Sequence, residues 1–357
     1  MKRIETRPIY VGGVQIGGQN RCVLQSMTNV PAKNVEATVE QIRKLKEGGC
    51  EIARIAVLDE EDARAIPAIK AKTDMPIVAD IHFNHLLALL AMEGGVDAIR
   101  INPGNIGGQD RVAAVAKACR ARGVPIRIGV NGGSLQKEIL AQYGAPTGQA
   151  LAESALLHAR MLEECDFYDI VLSVKSSDVG RMIDANRILS EKTCYPLHLG
   201  VTEAGGVASG TLRSAVGIGT LLAEGIGDTI RVSLTADPAL EVKAARDILA
   251  TLDLDPHRRL TVVSCPTCGR TRVDLIPLLA EFEAALDREA LWDLPVKVAL
   301  MGCAVNGPGE ARDADIGFAG GVGEALLFRH GEIVAKYPER EIVPTLIAEL
   351  KRMKQTK

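Results

Sequence analysis

Aromatic residues are scarce: Phe, Trp and Tyr make up 3% of the 357 residues, with a single Trp. The 47% hydrophobic content therefore rests mainly on Ala, Val, Ile and Leu, the mix that fills parallel sheets and the helices covering them. Charge of one sign is also lacking. The formal net charge is -3 with both signs spread along the chain, which leaves no basic face to follow a nucleic-acid backbone and no polybasic tail for a membrane. No stretch of about 18 apolar residues occurs, and the opening Met1-Lys2-Arg3-Ile4-Glu5-Thr6 has no apolar signal core, so a cytosolic protein is expected. Low-complexity tracts are absent too.

What is present is a βα alternation. Short β-branched runs at residues 22–27, 51–57, 76–81, 98–102, 125–130, 168–174, 196–201 and 229–234 alternate with helical patterns such as 35–48 and 110–123. Eight runs fit a closed (β/α)8 barrel better than an open doubly wound sheet. Gly48, Gly94 and Gly123 stand where helices would stop on a residue that tolerates positive φ. The polar stretch 253–259, rich in Asp, Pro, His and Arg, reads as a linker. It separates a barrel over residues 1–252 from a smaller α+β domain over residues 260–357.

Of eight cysteines, Cys22, Cys50, Cys119, Cys165 and Cys194 are scattered singly among predicted strands and helices, where free cysteine is usually a small buried hydrophobe. Cys265 and Cys268 form a C-x-x-C on a turn, and Cys303 recurs in a glycine-bearing loop that runs to Glu310. Three soft thiolates suit either zinc or an iron-sulfur cluster. His257 and His330 lie outside the two ligand loops, whereas Glu310 offers a hard, exchangeable carboxylate. A redox disulfide is less attractive, because no thioredoxin-like βαβ pattern surrounds Cys265.

In a (β/α)8 barrel the chemistry gathers where the strands end. The polar residues there are Gln25, Ser26, Arg54, Asp80, His82, Arg100, Asn102, Arg127, Asn131, Ser173, Lys175, His198, Glu203, Arg231 and Ser233. Four arginines and a lysine at one mouth match the oxygens of an anionic, phosphorylated substrate. The competing reading is that each arginine pairs with a barrel carboxylate such as Asp80 and serves packing. The glycine-rich loops 102–107 and 131–134 could add backbone N–H groups to a phosphate cradle, although neither is a Walker or dinucleotide fingerprint.

Taken together, Gln25-Ser26-Met27-Thr28, Asn102-Pro103-Gly104-Asn105, Gly129-Val130-Asn131-Gly132-Gly133-Ser134, Gly200-Val201-Thr202-Glu203-Ala204-Gly205, Cys265-Pro266-Thr267-Cys268-Gly269-Arg270 and the loop from Cys303 to Glu310 closely resemble the 4-hydroxy-3-methylbut-2-enyl diphosphate synthase family, over essentially the whole chain. The length looks like its two-domain bacterial form. The resemblance implies a barrel akin to pterin-binding barrels and a C-terminal domain like the cluster domain of sulfite reductases. It also implies one four-iron four-sulfur cluster per chain, held by Cys265, Cys268, Cys303 and Glu310. The implied reaction opens 2-C-methyl-D-erythritol 2,4-cyclodiphosphate reductively, with electrons from flavodoxin or ferredoxin, in a homodimer with composite active sites. The barrel cations would hold the diphosphate, and Glu203 would supply a proton. Two rivals are a pterin-dependent transferase with a structural zinc module and a non-catalytic iron-sulfur carrier or sensor.

Overall fold

Near the start of the chain, β1 (Ile9–Val11) and β2 (Val14–Ile16) pair antiparallel around Gly12 and Gly13. Both glycines have positive φ, 53° and 87°, the conformation that a two-residue hairpin turn needs and that glycine adopts without steric cost. A Cβ at Gly12 would lie 2.9 Å from the Pro76 side chain. Val11 and Ile16 pack against Val23, Ile52, Val78 and Ala98, the early residues of four barrel strands. The hairpin thus plugs the N-terminal end of the barrel. The computed structural model describes residues 2–257, 259–303 and 311–355, and the chain divides into two compact units, Met1–Leu254 and Asp255–Lys357.

In the first unit the strands β3 (Val23–Met27), β4 (Ile52–Ala56), β5 (Ile77–Asp80), β6 (Ala98–Ile101), β7 (Ile126–Asn131), β8 (Ile170–Lys175), β9 (His198–Leu199) and β10 (Thr229–Ile230) form one parallel sheet. Its order runs β8-β7-β6-β5-β4-β3-β10-β9. The ring closes where Leu172 N–H donates to Pro196 O at 2.9 Å, beside a parallel bridge from Leu172 to Leu197. Each strand leads to helix on the outside: α1 (Val35–Glu47), α2 (Glu60–Lys70), α3 (His85–Glu93), α4 (Gln109–Arg122), α5 (Lys137–Tyr143) with α6 (Gly148–Glu163), α7 (Val179–Lys192), α8 (Val207–Ala223) and α9 (Pro238–Thr251). The (β/α)8 architecture expected from the sequence is present. The last two strands are only two residues long, so Arg231 and Ser233 leave from just beyond β10.

Helix starts follow side-chain chemistry. Asn34, Asp59, Asn84, Thr147, Asp178 and Asp237 each accept a first-turn backbone N–H. The stops differ in part from expectation. Gly123 is left-handed (φ 65°), but Gly48 and Gly94 keep helical φ, and the positive φ falls on the next residue, Gly49 (99°) and Gly95 (87°). Apolar side chains on the outward strand face, such as Ile55, Ile77, Ile99, Ile128 and Leu172, are fully buried against the helices. Each contributes about 1.5–3 kcal/mol relative to exposure. Among the singly placed cysteines, Cys22, Cys50 and Cys119 are buried as expected, whereas Cys165 is half-buried and Cys194 is exposed.

In the second unit β11 (Thr261–Ser264), β12 (Lys297–Met301) and β13 (Ile316–Gly320) run parallel, and β14 (Ala325–Arg329) and β15 (Glu332–Tyr337) continue the sheet antiparallel. Helices α10 (Leu275–Arg288) and α11 (Ile342–Gln355) share one apolar core with the sheet, centred on Phe282, Leu286, Phe318, Leu346 and Leu350. A second cluster contains Ala299, Met301, Ala319 and Phe328, with Cys265 packed against it. Among the described residues, no helix is long and apolar enough to cross a membrane.

A cationic barrel interior as the candidate active site

Parallel pairing keeps partnered residues on one face of the sheet. Met27 pairs with Arg54, and Asp80, Arg100, Arg127 and Val171 form a continuous row across β5 to β8. Steps of two along the strands add Gln25, Asn102, Gly129, Ser173, Lys175, Gly200 and Arg231 to the same face. That face is the interior. The guanidinium of Arg127 on β7 donates from Nη1 to Gln25 Oε1 on β3, a strand that is not its neighbour in the ring. The hairpin end of this interior is apolar and the opposite end is polar, so Gln25, Arg54, Asp80, Arg100, Arg127, Ser173, Lys175 and Arg231 share one chamber.

Two carboxylates neutralise part of it. Asp80 takes a hydrogen bond from Arg100 Nη1 at 3.0 Å and faces Arg54 Nε at 3.7 Å and His82 Nε2 at 3.5 Å. Burial alone would raise its pKa, but Arg54, His82 and Arg100 outweigh that and hold the carboxyl well below its ordinary range. Glu241 takes Nε and Nη2 of Arg231, each at 3.2 Å. The expected pairing with a barrel carboxylate therefore holds for Arg54, Arg100 and Arg231.

It fails for Arg127 and Lys175. Arg127 has Nε and Nη2 buried without a hydrogen-bond partner among the described residues, and no described residue pairs with the ammonium of half-buried Lys175. Burial first, then the surrounding cations, push the pKa of both well below its usual value. Burial likewise lowers Arg54 to about 10. Among the described residues, Asp80 and Glu241 are the carboxylates paired with these five basic side chains, so basic groups outnumber acids by three in the chamber. Such an excess is unfavourable unless an anion completes it.

His198 completes the chamber floor. Its Nδ1 lies 2.6 Å from Thr229 Oγ1 and 3.4 Å from Arg127 Nη1, so a proton on Nε2 satisfies both contacts. Nε2 is itself buried without a partner. Burial, with Arg127 and Lys175 next, pushes the imidazole pKa far down, and the ring is neutral. Ser173 is buried on β8 and Ser233 is half-buried beyond β10.

Two predicted residues serve their own loops. The Asn102 side chain accepts Gly104 N–H at 3.1 Å, and the backbone of exposed Asn131 is tied to Ser134 Oγ, its N–H donating at 3.1 Å. Beneath the first loop, Gln136 Nε2 donates to His158 Nε2 at 2.6 Å. Glu203 is exposed in the β9–α8 loop with φ of 53°. For a non-glycine residue that conformation costs on the order of 1–3 kcal/mol and persists only where the surroundings impose it.

The cysteine loops leave adjacent parallel strands at the same end of the second sheet. Cys265 follows β11 and Cys303 follows β12, in a register that pairs Ser264 with Leu300. Gly302 ties them together. Its N–H donates to Cys265 Sγ at 3.2 Å, its carbonyl accepts Arg272 N–H at 2.7 Å, and a Cβ there would lie 2.8 Å from Thr271 Cγ2. Thr271 in turn accepts Cys268 N–H at 3.1 Å. An N–H aimed at a cysteine sulfur suits a metal-bound thiolate, so the donor set fits a soft metal centre. Among the described residues, no three His, Cys, Asp or Glu side chains yet converge as ligands. Glu310, the fourth ligand expected, lies outside the described residues.

Two family profiles cover the chain: the GcpE TIM-barrel domain over residues 6–246 and the GcpE protein C-terminal domain over residues 261–352. The chain belongs to the GcpE family. Its relatives include the 4-hydroxy-3-methylbut-2-en-1-yl diphosphate synthase (flavodoxin) of Clostridium perfringens, 58% identical over 97% of this chain and 98% of that one. The protein of the same name from Geobacillus kaustophilus is 56% identical over 98% of this chain and 93% of that one. Among solved structures, dihydropteroate synthase from Stenotrophomonas maltophilia aligns with a TM-score of 0.50 and 17% identity over 70% of this chain and 100% of its own. That likeness concerns the fold alone.

Sequence reasoning missed one residue of this GcpE-family barrel. Glu241 is buried, 4% exposed, in the first turn of α9. It accepts from Ser26 Oγ at 3.1 Å and Leu234 N–H at 3.0 Å besides Arg231. A search confined to strand ends passes over it. The available signal was a carboxylate three residues after Asp237-Pro238, where α9 begins.

Proposed function

We propose that this chain catalyses the reductive ring opening and dehydration of 2-C-methyl-D-erythritol 2,4-cyclodiphosphate to (E)-4-hydroxy-3-methylbut-2-enyl diphosphate in the non-mevalonate route to isoprenoids. The observation that carries the reading is the buried excess of positive charge around Arg127 and Lys175 in a GcpE-family barrel. A diphosphate neutralises it, and guanidinium forks match its oxygens. Arg54, Arg100, Arg127, Lys175 and Arg231 bind the phosphates. Asp80 orients the first two arginines, and Asn102, Asn131, Ser173, His198 and Ser233 complete the binding residues. The name of the relatives, a flavodoxin-type synthase, points to flavodoxin as electron donor, with ferredoxin as the alternative.

The residues assigned to the cofactor are Cys265, Cys268, Cys303 and Glu310, one four-iron four-sulfur cluster per chain. When bound, that cluster supplies electrons singly and Lewis acidity for C–O cleavage. Two electrons enter, and one substrate oxygen leaves as water. Glu203 gives a proton to that oxygen, its exposure letting it reload from solvent. The reading assigns substrate binding to residues 1–252, a linker to 253–259 and the cluster to 260–357, in a cytoplasmic homodimer.

The experiment is anaerobic purification, then iron and sulfide analysis and absorption spectra before and after dithionite. About four irons and four sulfides per chain with bleaching on reduction, followed by turnover of the cyclodiphosphate, are the expected results. One zinc without sulfide would sink the redox reaction and favour a pterin-type transferase. A full cluster in Cys303→Ser would remove that residue as a ligand.

A further inference from the structure

Arg231 differs from the other barrel cations in how it is held. Arg54 and Arg100 share Asp80, whereas Arg231 has a carboxylate of its own. Glu241 engages Nε and Nη2 of Arg231 at 3.2 Å, and its remaining capacity is filled by Ser26 Oγ at 3.1 Å and Leu234 N–H at 3.0 Å. These partners come from three places: the first barrel strand, the residue just beyond the last one, and the loop entering α9. The carboxylate side chain is 5% exposed, and Arg231 is 15% exposed. Only Nη1 of Arg231 lies outside the carboxylate's grip, 3.7 Å from Met27 Sδ. Arg54 reaches the same sulfur, at 2.8 Å from Nη2. A neutral thioether thus separates two guanidiniums that would otherwise repel.

We infer that Glu241 is a positioning residue: it holds Arg231 with one guanidinium edge locked and Nη1 presented to the anion in the barrel. The inference rests on the proposed function only in taking the barrel interior as the anion site. Charge and position make opposite predictions, which gives the idea a clear test. A carboxylate near an anion site repels the ligand, so neutralising a bystander tightens binding. Neutralising a positioning carboxylate frees the arginine to turn away, and binding weakens.

The test uses the full-length protein and inorganic pyrophosphate as the probe, with affinity measured by titration calorimetry. Glu241→Gln is expected to weaken pyrophosphate binding about tenfold, and Arg231→Gln by at least as much. Once Arg231 is Gln, adding Glu241→Gln is expected to cause no further loss, because both changes act through one guanidinium. Glu241→Asp keeps the charge but shortens the reach. It should bind more weakly than the wild type, and it serves as the deciding variant if Glu241→Gln does not fold. Tighter binding by Glu241→Gln, additive losses in the double variant, unchanged affinity in Glu241→Asp, or no pyrophosphate binding by the wild type would each overturn the assignment. Wild-type protein that binds pyrophosphate but not the cyclodiphosphate would instead sink the proposed substrate and leave the role of Glu241 standing.

Discussion

Gly129 and Arg100 occupy one space: a Cβ on Gly129 would lie 2.6 Å from Arg100 Cζ. The glycine on β7 is therefore the floor over which the Arg100 guanidinium reaches Asp80. Gly129→Ala must push that side chain off its carboxylate. Because the obstacle is the end of a flexible side chain, the fold should survive with a loss of about 1–2 kcal/mol. Pyrophosphate affinity should fall about tenfold or more, since Arg100 loses its place. Calorimetry beside a thermal melt checks both. Unchanged affinity with a lowered melting temperature would mean that Arg100 serves packing only.

Asp80 carries the acid sensitivity of the chamber. Its folded-state pKa is held far below the unfolded value of about 3.9. A carboxylate depressed on folding contributes stability that is fully present above the unfolded pKa and is lost as pH falls below it toward the folded value. Asp80→Asn should cost about 3–5 kcal/mol at pH 7, because Arg54 and Arg100 lose their buried partner. The gap between variant and wild type should shrink between pH 5 and pH 3. Melting curves across that range test this, and a constant gap would show that folding does not depress the Asp80 pKa.

The strand pattern made most of this site legible. Residues at strand ends, among them Arg54, Asp80, Arg100, Arg127 and Lys175, share one interior because the βα repeat brings every such end to one face. Glu241 was hidden because it sits on a helix, and no local pattern shows that α9 packs back against β3. The plug hairpin was missed because its strands are three residues each, too short for alternation to register. Gly48 and Gly94 misled for a similar reason: each is followed by a second glycine, and local sequence does not decide which of the two turns left-handed.

His158 sets a second pH limit, on the loops rather than the cations. It is 1% exposed, accepts from Gln136, and would lie 2.9 Å from a Cβ on Gly104. Burial lowers its pKa to about 4, against about 6.5 unfolded. A histidine that resists protonation when folded binds fewer protons than the unfolded chain, so stability declines as pH drops below about 6.5 and levels off below the folded value. His158→Gln should therefore be less stable than wild type at pH 7 and draw level with it toward pH 4. Denaturant titrations at pH 7, 5.5 and 4 follow the trend, and parallel curves would refute it.

The thiols divide by environment, and labelling can separate core from ligand. Desolvation pushes Cys22, Cys50 and Cys119 up to about 12, so their reactive thiolates are rare as well as shielded. Cys194 and Cys268 are exposed. Native alkylation with a maleimide at pH 7, mapped by peptide mass spectrometry, should reach Cys194 and Cys268 first and the three buried thiols only after unfolding. Anaerobic reconstitution with iron and sulfide should then protect Cys268 while leaving Cys194 as reactive as before. Equal labelling of Cys268 with and without reconstitution would exclude it as a ligand. Protection of both would point instead to a general shielding of the surface, because Cys194 follows the C-cap of α7 in the barrel, outside the unit that carries the cysteine loops.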